Sequence, residues 1–343
     1  MPEAASRLAS VVAVRTGGVS ASEALQRLIG QSGAMQQVRE HIQRIARSPV
    51  PVLIVGETGT GKELCAEAIS LLSGRMPFIA VNCAALPESL VESELLGHER
   101  GAFTGAVQAR AGMIAAADGG TLFLDELAEV PSTVQAKLLR TLESGEYRPL
   151  GSTKTLRSRF RILAATSGDL DRIISAGHLR ADLFHRLGAV RVRLPALRER
   201  LEDIPLLAQE FLRRYLDRCD TGPSGISPEA STILMQHDWP GNIRQLRNVV
   251  EAAAAVAGLD PVVGMLHVVE VLASSMSEAP PVDIFPSLAE ARRRAEEHAI
   301  LDALRRTEGN RERAAKLLRI SEATLYRKLG KHPTPDSVLT QAS

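Results

Sequence analysis

Val52-Leu-Ile-Val55 runs directly into Gly56-Glu-Thr-Gly-Thr-Gly-Lys62-Glu63, and a helical stretch follows. An apolar run of strand length, a glycine loop and a helix start form the context that a phosphate-binding loop requires. Glycines let backbone N–H groups converge on phosphate oxygens, the helix start favours an anion, and Lys62 neutralises the β and γ phosphates. Gly56, Glu57, Thr58, Gly59, Thr60, Gly61, Lys62 and Glu63 are therefore the candidate nucleotide contacts. Glu63 stands where the generic motif places a Ser or Thr hydroxyl for magnesium.

Working outward, short apolar runs recur at 78–81, 122–124 and 161–165, with helical patterns at 62–72, 86–95 and 133–142. That alternation predicts an α/β domain, a parallel sheet flanked by helices, over 26–200. From 204 to about 271 the pattern is helical only, so a small all-helical lid is expected over 201–272. Residues 273–287 carry three prolines and read as a linker, and 288–331 are helical again and basic. Residues 1–25 form a short extension expected to be poorly ordered, and 332–343 a disordered tail.

Leu122-Phe-Leu-Asp125-Glu126 is an apolar strand ending in two acids. Buried carboxylates are costly without partners, and magnesium held by Asp125 with water polarised by Glu126 supplies a reason for both. Between this strand and the glycine loop lies Gly101-Ala102-Phe103-Thr104-Gly105-Ala106. Two glycines and two alanines around one aromatic and one hydroxyl cannot build a core. They make a small mobile tip that displays Phe103 and Thr104, suited to delivering ATP energy to a protein partner.

With GAFTGA at this position, the chain resembles the bacterial enhancer-binding activators of sigma-54 RNA polymerase, AAA+ proteins, over about residues 26–331. GETGTGKE is common in that family, so Glu63 fits it. The resemblance implies that Phe103 and Thr104 contact sigma-54, and that Asn82 restrains Glu126 until the partner engages. It implies a sensor I strand ending in Thr166 and Ser167, where Ser167 replaces the usual Asn. Arg180 and Arg186 match the segment that supplies arginine fingers in trans, which implies a hexameric ring, of one chain or mixed with a paralogue. A salt bridge of Arg180 with Asp182 inside one subunit is the competing reading. Arg244, in Trp239-Pro-Gly-Asn-Ile-Arg244, matches the sensor II residue that reaches the phosphates from the lid, and Asn242 reads as the N-cap of its helix.

The C-terminal region resembles the family's Fis-type helix-turn-helix. Arg311–Leu318 is a short helix, and Ser321 can cap a second one carrying Thr324, Arg327 and Lys328. These four are the candidate DNA contacts, and Arg319 stands where the turn usually has glycine. The charge agrees: residues 291–331 carry 12 Lys/Arg against 6 Asp/Glu on a chain whose formal net charge is +1. No apolar run approaches the roughly 18 residues that would span a membrane, and no export signal precedes the body. Cys65, Cys83 and Cys219 lack metal or redox spacing and read as reduced thiols, which with the missing signal places the expected location in the cytoplasm.

The expected protein is an ATP- and Mg2+-dependent transcription activator that binds double-stranded enhancer DNA. It would remodel the closed sigma-54 holoenzyme complex into an open one. A DNA-binding regulator with a vestigial ATPase, acting by occupancy, is the alternative. Residues 1–25 are too short for a receiver, so the layout resembles the phage-shock and type III secretion activators and implies control by a separate inhibitor protein or co-activator.

Overall fold

Four apolar runs too short for helices and too apolar for one-sided strands need neighbours on both faces, and a central parallel sheet supplies them. In the computed structural model, which describes residues 12–15, 21–219, 221–277, 307, 311–317 and 320, that sheet has six strands. In chain order the elements begin with β1 (Val12–Arg15), α1 (Ala21–Gln26), α2 (Gly33–Ala46), β2 (Val52–Val55), α3 (Lys62–Ser73) and β3 (Phe78–Asn82). Then come α4 (Glu88–Leu96), β4 (Gly97–His98), β5 (Arg110–Ala111), α5 (Met113–Ala116), β6 (Thr121–Asp125) and α6 (Ser132–Ser144). A second small hairpin, β7 (Glu146–Tyr147) and β8 (Leu156–Arg157), precedes β9 (Arg161–Thr166), α7 (Leu170–Ser175), α8 (Ala181–Leu187) and β10 (Val190–Arg193). The helical part comprises α9 (Ile204–Leu216), α10 (Pro228–Gln236), α11 (Asn242–Ala257) and α12 (Met265–Ser277), and α13 (Arg311–Leu317) lies in a separate compact unit.

The sheet order is β1-β3-β6-β9-β2-β10, parallel throughout except for β1 at one edge. Because β2 leads first to distant β3 and the chain returns through β6 and β9, the order reverses at β2. Parallel sheets bind ligands in the crevice at such a point, beyond the carboxyl ends of their strands. The register puts Val55 beside Thr166 and Asn82 beside Asp125. Gly56, Asn82, Asp125 and Thr166 thus share one edge.

Side chains alternate with the strand period of two. Leu53, Ile79, Val81, Leu122, Leu124, Ile162 and Ala164 enter the core on one face. Ile54, Phe78, Ala80, Phe123, Leu163 and Ala165 enter the other, where Phe78 and Phe123 stack at 6.1 Å. Arg161, 1% exposed, donates to the carbonyls of Ile45, Ala46 and Val50, so a buried guanidinium closes the free end of α2. The lid has its own core around fully buried Trp239, whose indole N–H donates to the Leu234 carbonyl at 2.7 Å.

Several features differ from the sequence reading. Val12–Arg15, within the extension expected to be poorly ordered, pairs antiparallel with β3. β10, with its Val-Arg-Val-Arg alternation, is a sixth strand that the sequence reading did not identify. Helix α12 runs through Ser277, five residues into the expected linker, because Ala273–Ser277 holds no Pro or Gly to end it. The rest of the linker, and Ser321, Thr324, Arg327, Lys328 and Arg319, lie outside the described residues.

Candidate nucleotide site and partner loop

The glycine loop follows β2 at the sheet's reversal point. Gly59 and Gly61 adopt φ of 82° and 100°, a region that favours glycine. Lys62 is buried, and its ammonium donates to the Gly56 carbonyl at 3.1 Å and lies 3.3 Å from Glu126 Oε1. With backbone carbonyls and a carboxylate as its present partners, this cation can transfer to a more highly charged anion.

At the end of β6, burial raises the pKa of Asp125 above the usual carboxylate range, and the Glu126 charge adds to that, while Lys62 opposes it. A desolvated carboxylate beside a second acid fits a divalent cation. Among the described residues no group of three or more His, Cys, Asp or Glu could hold one alone. Magnesium suits that arrangement, since it binds through one or two carboxylates with phosphates and waters completing its shell. Asp125 is the residue that would hold it, and the ion would neutralise charge on the transferring phosphate.

Glu126 occupies the left-handed region (φ 52°), and both of its carboxylate oxygens have partners. Oε1 faces Lys62, and Oε2 accepts from the Ser167 N–H at 3.0 Å and the Ser167 hydroxyl at 2.8 Å. Asn82 is exposed and uses its carboxamide oxygen to accept from the Ala84 N–H at 3.1 Å. The residue holding Glu126 here is Ser167, at the position expected to sense phosphate. Thr166 Oγ1 beside it is buried without a hydrogen-bond partner. Replacing Ser167 by Ala removes one of the two donors to Oε2; on the ATPase reading of the sequence it would lower kcat for ATP about tenfold, in line with a hydrogen bond to a charged group. KM should hardly change, and steady-state phosphate release measures both.

Arg180 is the N-cap residue of α8 and forms two hydrogen bonds with Asp182, at 3.1 and 2.7 Å. That is the intrasubunit pairing weighed from sequence; it is solvent-exposed, and such pairs exchange readily. Arg186 is exposed and donates to the Leu142 carbonyl at 3.2 Å. Arg244 is exposed in the first turn of α11, with its Cβ 3.2 Å from where a side chain on Gly59 would begin. The lid therefore brings Arg244 to the loop. Burial pushes the thiols of Cys65 and Cys83 up to about 12, which suits inert packing.

Gly101–Ala106 is carried on the β4–β5 hairpin. The loop closes on itself: the Gly101 N–H donates to the Ala106 carbonyl at 2.9 Å, and the Ala106 N–H to that of Phe103 at 3.0 Å. Gly101 (φ 81°) and Gly105 (φ 108°) make those turns. Ala106 is buried, Thr104 is exposed, and Phe103 sits edge-on to His98 at 5.0 Å. The β7–β8 hairpin, missed from sequence, braces the stem. The Glu99 N–H donates to the Leu150 carbonyl and the Leu150 N–H to the Gly97 carbonyl, each at 2.9 Å, and Gly151 abuts Ala102.

Asn242 is the clearest correction. Gly241 holds the N-cap position of α11, and Asn242, in the left-handed region, is fully buried against the glycine loop and Leu197. Its part in the site had no signal in local spacing.

Residues 28–193 match the sigma-54 interaction domain, 198–283 the AAA+ ATPase lid domain, and 291–332 the Fis family of bacterial regulatory proteins. The transcriptional regulatory protein ZraR of Salmonella typhimurium is 43% identical over 314 residues, which cover 91% of this chain and 70% of ZraR. The sigma54-dependent transcriptional activator SfnR of Pseudomonas putida is 51% identical over 225 residues, 65% of this chain and 62% of SfnR. Among solved structures, NtrX of Brucella abortus in complex with ATP superposes with a TM-score of 0.74 at 34% identity, covering 92% of this chain and 69% of NtrX.

Proposed function

Because the chain belongs to the sigma-54-dependent transcriptional activators, with AAA+ and DNA-binding domains, we propose that it hydrolyses ATP and uses the energy to convert a closed sigma-54 promoter complex into an open one. The observation that carries this reading is the Lys62–Glu126–Ser167 chain at the sheet's reversal point. An incoming triphosphate draws Lys62 onto its β and γ oxygens. Glu126 Oε1 is then free to polarise water while Ser167 keeps Oε2 in place. Asp125 would hold Mg2+, and Arg244 reaches the phosphates from the lid.

Arg180 and Arg186, exposed near α8, complete the site of a neighbouring copy in a hexamer, which explains why neither serves its own loop. The GAFTGA tip, through its exposed Thr104 and Phe103, engages sigma-54. Ser321, Thr324, Arg327 and Lys328 contact enhancer DNA. ATP state moves the tip only through contacts that differ between states.

The test is open-complex formation on a sigma-54 promoter with and without ATP, with Thr104→Ala beside wild type. ATP-dependent melting by wild type is expected, with melting lost and hydrolysis retained in Thr104→Ala. Melting without a triphosphate, or undiminished melting by Thr104→Ala, would overturn the proposal. A chain that binds the promoter region but hydrolyses nothing would act by occupancy instead.

A further inference from the structure

An acidic residue inside an anion-binding loop needs an explanation, and Glu57 is one. Its carboxylate does not face a phosphate position unpaired: Arg198 grips both oxygens, with Nη1 donating to Oε2 at 2.8 Å and Nη2 to Oε1. Asn242 adds a third bond, its Nδ2 donating to Glu57 Oε2 at 3.1 Å. The same NH2 donates to the Thr58 carbonyl at 3.1 Å, and Asn242 Oδ1 accepts from the Leu197 N–H at 2.7 Å. Next in sequence on each side, the Ile243 N–H donates to the Gly59 carbonyl at 3.0 Å. A Cβ on Gly59 would lie 2.3 Å from the Gly241 carbonyl oxygen. Three consecutive loop residues are thus stitched to the first residues of the lid helix.

Resting on the nucleotide reading above, we propose that Asn242 is a positioning residue: it clasps the glycine loop to the lid and so holds the loop in its phosphate-accepting shape. The chemistry selects a carboxamide. The site demands two N–H donors and one acceptor from a single buried side chain, and only Asn or Gln offers both. Asn also tolerates the left-handed backbone seen at 242. Because a trans peptide sets C=O and N–H on opposite sides, tying the Thr58 carbonyl to the lid turns the Gly59 N–H away from it. Arg198 and Asn242 together hold Glu57 near a pKa of about 2, so it stays ionised and keeps accepting at any physiological pH. Around the pair the charged groups are Arg198 and Arg193, with Glu199 and Asp238 beyond Arg198 and Lys62 near the Glu57 carbonyl. His237 lies on the same lid segment and accepts from the Trp239 N–H.

The experiment titrates the purified full chain with a fluorescent ADP analogue between pH 5.5 and 8. Asn242→Ala is expected to weaken binding about tenfold, since it removes bonds to a charged group and leaves buried partners unpaired. Asn242→Asp should be weaker still at pH 8, where two carboxylates face each other. It should regain affinity as pH falls and the introduced carboxyl takes up a proton and donates to Glu57. Wild type, measured in parallel, accounts for any contribution from His237. A merely structural loss would not recover with acid. Should Asn242→Asp fail to fold by circular dichroism, Glu57→Ala, Asn242→Ala and the double variant decide: a shared clasp makes the double no worse than the worse single. Variants binding like wild type, a flat pH response in folded Asn242→Asp, or additive losses in the cycle would overturn the clasp alone. Wild type failing to bind ADP would overturn the nucleotide reading and the clasp with it.

Discussion

Replacing Glu126 by Gln is expected to slow ATP turnover about a thousandfold, the middle of the range for a positioned general base, while ADP affinity stays within about threefold. The carboxamide fills the same space, and its oxygen can still accept from both Ser167 donors. What it loses is basicity at the oxygen that Lys62 now covers. The effect should far exceed that of Ser167→Ala, because Ser167 keeps its backbone N–H whatever its side chain. Phosphate release under saturating ATP, with analogue binding as the control, measures both. Turnover within tenfold of wild type would mean that some other group activates the water. Equal losses in turnover and binding would mean that Glu126 shapes the loop instead.

That site was legible to the extent that its chemistry is local. The glycine loop, Asp125 and Glu126 sit at the ends of apolar runs, and burial on both faces makes such runs easy to read as strands. β10 escaped because alternating Val and Arg at a sheet edge looks like any surface segment. Val12–Arg15 escaped for a similar reason, as a short run among small residues. Position 242 shows the opposite failure. An Asn after Pro-Gly has every local mark of a helix cap, yet three bonds to residues about 45 and 185 positions away outweigh that preference. Glu57 was read as a phosphate contact from its place in the loop, and its carboxylate is held by Arg198, 141 residues on. Ser167 was noticed only as a departure from the usual Asn; its grip on Glu126 needed the two strand ends side by side. In each case the missing information is which distant backbone comes near, and spacing along the chain does not carry it.

Gly112→Ala should separate the two halves of the machine, abolishing promoter melting to below about one hundredth of wild type while changing ATP turnover less than about threefold. Gly112 has φ of −86°, a conformation open to any residue, so no backbone strain is involved. The obstacle is space: a Cβ there would lie 2.3 Å from the Gly97 nitrogen, 2.4 Å from the Leu95 oxygen and 2.5 Å from the Leu96 carbonyl carbon. A Cβ on Gly97 would in turn meet the Arg110 oxygen and Gly112 nitrogen at 2.6 Å. The chain crosses itself glycine against glycine at the foot of the β4–β5 stem, and backbone cannot step aside as a side chain would. One methyl must therefore spread the stem, and the GAFTGA tip and its brace at Leu150 and Gly151 shift with it. Overpacking of this kind costs about 1–3 kcal/mol, too little to unfold a domain of ordinary stability. Lys62, Asp125 and Glu126 belong to the sheet edge and not to the stem, so the hydrolytic site should survive. Gly33→Ala, at a glycine with nothing within 4 Å of the added carbon, is the matched control and should behave as wild type in both assays. If Gly112→Ala melted promoters normally, the stem would tolerate the displacement and the tip's placement would not be what transmits force. If hydrolysis fell in parallel with melting, stem and ATP site would form one packing unit. A tip that can be misplaced without cost to hydrolysis is what a separable output lever requires.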